Sequence, residues 1–208
     1  MISELLKKNI KPETYAKKII ENPILIEQYL DGLLSKNETY RYNCFKIVNI
    51  VSEEKPVLLY PHWDFFKDHL KSKNNYQKMS AVAILANLTA VDRENRFKKI
   101  FNQYFENLKS EKTIVPIYVV KSSGKIASFK PDLEEKITDI LLDIENIYPG
   151  KQIELLKSAV IESFSELYEK TQKKKKIVSF VKKQVKSNSP KTRKAAKEFI
   201  NKWGRDKI

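Results

Sequence analysis

A serine returns along this sequence at intervals that mark out a repeat. Leu34-Ser35-Lys36 reappears as Lys71-Ser72-Lys73, as Lys109-Ser110-Glu111 and as Lys186-Ser187-Asn188. The serines advance by 37, by 38 and then by 77, two periods with Tyr148 at the skipped place. In the same register Val51, Leu88, Ile126, Phe164 and Trp203 form one column of large apolar residues, at steps of 37 to 39. An amphipathic stretch precedes each marker, at 24–34, 57–70, 94–108, 132–147 and 177–185. A second apolar stretch follows it, at 40–51, 76–88, 113–127, 152–168 and 191–203. One such pair cannot bury its apolar faces alone, so the pairs are expected to stack, with unlike units at the two ends.

The period within each stretch is helical. Phe97, Ile100, Phe101, Tyr104, Phe105 and Leu108 fall at the i, i+3, i+4, i+7 spacing of a helix packed on one side. The second stretches are more apolar all round, as in Ser80 through Leu88, and suit helices held between neighbours. Residues 57–60 and 114–120 are apolar and β-branched enough to read as strands in isolation, but the repeat register makes them helical. Pro12, Pro23, Pro56, Pro131, Pro149 and Pro190 fall at expected helix starts or turns, where a missing N–H costs little. Pro116 sits in a first turn, and Pro61 either starts or kinks its helix. Residues 1–22, split by Pro12, read as an N-terminal cap. The repeat domain is then 23–204, in units of about 23–55, 56–92, 93–130, 131–171 and 172–204, with Trp203 as a last core residue and Gly204 as a helix stop.

Two segments, Lys78-Met79-Ser80-Ala81-Val82-Ala83-Ile84-Leu85 and Thr192-Arg193-Lys194-Ala195-Ala196-Lys197-Glu198-Phe199, place a basic residue before small apolar ones early in a second helix. With five helix pairs of about 38 residues over 23–203, they resemble the HEAT-repeat (armadillo-like) family of α-solenoids. In register the basic position reads Arg41, Lys78, Pro116, Glu154 and Arg193, so the third and fourth repeats depart from it. The resemblance implies an all-α, right-handed α–α superhelix of about five hairpins. It also implies a non-catalytic scaffold or adaptor that binds another macromolecule, most often a protein, on a curved surface of second helices. Arg41, Lys78, Lys121, Lys157, Arg193, Lys194 and Lys197 are the second-helix residues expected to face that ligand.

The charge is unevenly spread. The chain has 40 Lys and Arg against 26 Asp and Glu, a net +14. Residues 149–188 hold ten basic against four acidic residues and 189–208 seven against two, so the last 60 residues supply +11 of it. Lys173, Lys174, Lys175 and Lys176 open a helix there, where four cations oppose the helix dipole at about 0.3–1 kcal/mol each. Lys182, Lys183, Lys186 and Lys191 continue the patch. Its bland reading is a solvated lysine-rich face. Its sharper one is a docking site for phosphate or an acidic protein surface, with nucleic acid as the alternative partner. Phe180, Phe199 and Trp203 fall on apolar stripes, so nucleic acid would be held by backbone electrostatics rather than by stacking on bases.

Catalytic chemistry has little to stand on. Pro61-His62-Trp63-Asp64 with Asp68 and His69 offers only adjacent-turn ligands, too few for a metal site. Ser122-Ser123-Gly124-Lys125 lacks the upstream glycine of a phosphate loop and reads as a close approach between helices. The HEAT-like alkylpurine DNA glycosylases are a third reading, but they need exposed tryptophans and clustered arginines. Here Trp63 lies in a first helix, Trp203 in a core column, and Arg41, Arg93, Arg96, Arg193 and Arg205 are scattered. Cys44, the one cysteine, sits in an apolar pattern with no histidine nearby and reads as a buried, inert thiol. No catalytic residue, metal or cofactor is expected. The longest uncharged run, 79–91, is too short to span a bilayer, and the opening residues lack a signal-peptide core, so the expected setting is soluble and cytoplasmic.

Overall fold

The computed structural model describes residues 2–203, and every described element is helical. Gly204 and Arg205, named above, lie outside the described residues. The chain divides after Ile100 into an N-terminal and a C-terminal unit. The N-terminal unit holds α1 (Ile2–Leu5), α2 (Pro12–Glu21), α3 (Ile26–Leu33), α4 (Glu38–Glu54), α5 (Pro56–Leu59), α6 (Trp63–His69) and α7 (Asn75–Leu88). The boundary falls within α8 (Arg96–Phe105). The C-terminal unit continues with α9 (Ile114–Phe129), α10 (Glu134–Leu142), α11 (Ile144–Ile147), α12 (Ile153–Leu167), α13 (Lys174–Gln184) and α14 (Pro190–Trp203).

Proline sets where three of the helices end. The residue before a proline is pushed out of the α region. Asn22 (φ −137°, ψ 84°), Lys55 (−140°, 62°) and Lys130 (−128°, 72°) each close a helix outside the α region. Pro23 and Pro131 then lead short 3₁₀ turns into α3 and α10. Pro61 divides its stretch, with a 3₁₀ turn at Tyr60–His62 between α5 and α6. Pro116 lies buried in the first turn of α9, where no intrahelical N–H bond is lost.

The recurring serine is a turn device. Ser35, Ser72 and Ser187 accept through Oγ from the backbone N–H two residues on, those of Asn37, Asn74 and Ser189, at 3.0–3.1 Å. Those three residues then cap the following helix. Asn37 accepts from the Tyr40 N–H, Asn74 from the Tyr76 N–H and Ser189 from the Thr192 N–H. Each turn thus spends a hydroxyl and a cap on backbone donors that the helix leaves without partners. In the first and last repeats a guanidinium closes the turn from the other side: Arg41 donates to the Ser35 carbonyl and Arg193 to the Ser187 carbonyl, each at 2.7 Å.

In the N-terminal unit α2 and α3 pack on α4, α4 packs on α7, and α6 packs on α7. In the C-terminal unit α10 packs on α9, α9 on α12, α12 on α14 and α13 on α14. Polar contacts join residues one repeat apart: Asn43 to Leu5, Asn87 to Ser52, Tyr60 to Asp92, Thr113 to Tyr148 and Thr192 to Glu154. Val51, Leu88, Ile126 and Phe164 are buried, so the apolar column is core for four of its five members. Trp203 is half-buried and packs on Tyr168 at 5.2 Å between ring centres.

Two glycines mark where helices approach most closely. A Cβ on Gly32 of α3 would lie 2.3 Å from the Cys44 sulfur on α4, and one on Gly124 of α9 would lie 2.4 Å from the Glu166 carboxylate on α12. The small residues at 122–125 therefore form a helix contact, as the missing phosphate-loop glycine implied. Burial pushes the Cys44 thiol up to about 12, partly offset by its hydrogen bond with Tyr40, so it stays protonated and inert.

Candidate macromolecule-binding surface

α13 buries Ile177, Val178, Val181 and Gln184, packs half-buried Phe180 on Phe164 and turns its remaining residues outward. Lys175, Ser179, Lys182 and Lys186 follow one another at four-, three- and four-residue steps, and Lys183 lies beside them. All five are exposed. With Val178 they line a shallow depression of about 590 Å³. Among the described residues none of these four lysines forms an ion pair. Their charges are left to solvent, or to whatever docks there.

The four-lysine run splits by function. Lys173 turns inward, its ammonium 3.1 Å from Glu135 and 2.5 Å from Asp139 on α10. Burial pulls its pKa down, but hydrogen bonds to Asp139 and then Glu135 outweigh that, and the net direction is up. Those carboxylates also neutralise the cation nearest the helix start, which relieves the conflict with the dipole. Lys174 stands 5.5 Å over the Tyr168 ring, while Lys175 and Lys176 face outward.

The second-helix candidates fare unequally. Arg41 is 8% exposed and Lys157 9%, so neither stands on an open surface, and Arg41 lines a cleft between α4 and α7. Lys157 bridges Glu145 on α11 and Glu154 on α12. Burial opposes its charge, the two carboxylates outweigh burial, and its pKa rises; the Glu154 carboxyl falls, held by Lys157 and then by the Ser187 hydroxyl. Arg193 is half-buried with one amino group on its turn carbonyls. Lys78 is half-buried, Lys121 and Lys197 are exposed, and exposed Lys194 lies 3.8 Å from Glu198. Arg41 and Lys78 belong to the N-terminal unit and the others to the C-terminal one. Of the predicted residues Lys175 shares its depression with three further lysines. Lys182, Lys183 and Lys186, counted in the charge patch but not singled out, complete it; the signal was their helical spacing from Lys175.

The cluster around Trp63 is structural in its contacts. Trp63 is buried, with the Arg96 guanidinium 5.3 Å over its ring. Asp64 pairs with Lys67 at 2.6 Å and Arg96 at 2.7 Å, and hydrogen bonds from Lys67 and then Arg96 hold its carboxyl below the usual range. His62 faces Glu27 at 3.5 Å, whereas His69 Nδ1 lies 2.6 Å from the Phe65 carbonyl, so the two histidines serve different partners. No group of three or more His, Cys, Asp or Glu able to hold a metal occurs among the described residues, and no described helix is long and apolar enough to cross a membrane.

Comparison with known proteins finds no matching family model, no matching curated sequence and no matching solved structure.

Proposed function

We propose that this protein is a non-catalytic scaffold of the HEAT-like solenoid kind that holds an acidic protein partner, with the lysine face of α13 as the electrostatic part of the contact. One observation carries the reading. Lys157 and Lys173 are matched to carboxylates of this chain, while Lys175, Lys182, Lys183 and Lys186 share one depression with no acidic residue among its lining. The recurring period, the stacking of second helix on second helix within each unit and the polar contacts one repeat apart support the solenoid. An acidic protein suits this face better than nucleic acid does. No aromatic ring lines it for a base to stack on.

The test is fluorescence anisotropy of labelled polyglutamate, single-stranded DNA and double-stranded RNA at matched charge, in about 0.15 M salt. Polyglutamate should bind most tightly, and K175E/K182E/K183E/K186E should abolish that binding while leaving the circular dichroism spectrum unchanged. Tighter binding of either nucleic acid would replace the acidic-protein reading with the nucleic-acid one. Binding of nothing at that salt would leave the lysines as solvated surface.

A further inference from the structure

Of the chain's ten tyrosines, ten phenylalanines and two tryptophans, only Tyr42, Tyr76 and Phe129 are exposed. Tyr42 (51% exposed) and Tyr76 (41%) flank the same pocket in the N-terminal unit, a cleft of about 340 Å³ between α4 and α7. Phe45 and Met79 supply further apolar lining, and Arg41, Lys8 and Glu38 the charges. The tyrosines are not simply stray surface rings. The Arg41 guanidinium lies 4.7 Å over Tyr76, and the Lys46 ammonium 5.0 Å over Tyr42. Lys8 and Arg41 thus share the lining with one carboxylate, Glu38, which is 3.9 Å from Arg41.

The walls are fixed before any ligand arrives. Asn43 donates through Nδ2 to the carbonyls of Leu5 at 2.8 Å and Lys7 at 2.9 Å, which ties the segment carrying Lys8 to α4. Arg41 is held by the Ser35 carbonyl, and the Ser80 hydroxyl donates to the Tyr76 carbonyl at 2.9 Å. A pre-formed concave site with aromatic walls and a few placed charges is the usual form of a ligand pocket, and rigid walls lower the entropy lost on binding.

We infer that this pocket is an anchor site for a short peptide segment that inserts one large aromatic or aliphatic side chain between Tyr42 and Tyr76 and sets a neighbouring carboxylate against Lys8 and Arg41. The volume suits one large side chain rather than a folded surface. Charge complementarity selects an acidic flank. A single-stranded nucleic acid would need successive stacking platforms along a track, whereas these two rings serve one cleft and the third exposed ring, Phe129, belongs to the other unit. The site shares no lining residue with the lysine face of α13 and does not rest on it.

The chain contains two methionines, Met1 and Met79, so a protein labelled at methionine methyls carries one internal probe, and that probe lines the pocket. The titrants are blocked octapeptides with a central Trp flanked by aspartates, the same peptide with Ser for Trp, the same peptide with Lys for Asp, and an eight-nucleotide single strand. The Asp–Trp peptide should shift the Met79 methyl resonance and bind about tenfold or more tightly than either altered peptide. Tyr42→Ser/Tyr76→Ser should remove the shift and the binding, Tyr42→Phe/Tyr76→Phe should keep both, and the α13 charge reversal should change neither. The proposal is overturned if the Trp and Ser peptides bind alike, if Tyr42→Ser/Tyr76→Ser binds as wild type does, or if the oligonucleotide binds more tightly.

Discussion

Replacing Gly32 with alanine should destabilise the N-terminal unit, although alanine is the better helix former by about 1 kcal/mol. The cause is the Cys44 sulfur, 2.3 Å from where the new methyl would sit, against an ordinary contact of 3.4–4 Å. Cys44 is fully buried, so the missing ångström must come from moving α3 against α4. Overpacking of that kind costs about 1–3 kcal/mol, leaving a net loss of up to about 2 kcal/mol. In a Cys44→Ala background the sulfur is gone, and the nearest atom is the residue 44 Cβ at 3.1 Å. There Gly32→Ala should be neutral or stabilising by up to about 1 kcal/mol, giving a coupling energy of about 2 kcal/mol across the cycle. Urea denaturation followed by Trp63 fluorescence, in a Trp203→Phe background, reads the N-terminal unit alone. Equal losses in the two backgrounds, or a gain from Gly32→Ala with Cys44 present, would refute the close-approach argument.

Three further outcomes follow from the contacts above. The depressed pKa of Glu154 contributes stability that is complete above its unfolded value of 4.5 and lost as pH falls through the lower folded value; the raised pKa of Lys157 contributes stability that is complete below 10.5 and lost as pH rises through its higher folded value. Lys157→Met should therefore shrink the acid-side loss of the C-terminal unit, measured as urea midpoints between about pH 3 and 6, without abolishing it, because Ser187 still holds Glu154. Asp92→Ala should cost the N-terminal unit about 2 kcal/mol by calorimetry, since that carboxylate accepts from the Arg96 and Phe97 N–H groups and from the Tyr60 hydroxyl, and Asp92→Asn should cost less. Ser72→Ala should cost about 1 kcal/mol and Ser187→Ala more, because the Ser187 hydroxyl also holds Glu154; urea titration checks the order.

Helix placement was legible because period and proline are both local signals. Residues 76–88 and 191–203 were expected as second helices and are Asn75–Leu88 and Pro190–Trp203. The 3₁₀ breaks were legible only at Pro61, where proline stands inside a stretch. The use of each basic residue was not legible, because it depends on partners that one stretch does not contain. Lys173 pairs with Glu135 and Asp139, more than thirty residues earlier, and Lys157 meets Glu145 from a helix of the same repeat that only folding brings near. Arg41 kept the family-like basic position, yet in this chain that position secures its own turn. The Tyr42–Tyr76 pocket was missed since both rings sit at the polar-facing starts of otherwise buried helices, where a tyrosine reads as the edge of an apolar stripe.

The serine turns at Ser35, Ser72 and Ser187 and the guanidinium clasps of Arg41 and Arg193 close their hairpins with bonds that span six residues or fewer, and the polar ties between neighbouring hairpins reach back 32 to 38 residues. Neither unit therefore waits on a meeting of distant chain segments. Chains whose contacts are this near in sequence fold quickly and by propagation, hairpin upon hairpin, since little loop-closure entropy is lost before each new contact forms. A chain leaving the ribosome could thus secure one hairpin while the next is still being synthesised, and the order of folding would follow the order of synthesis.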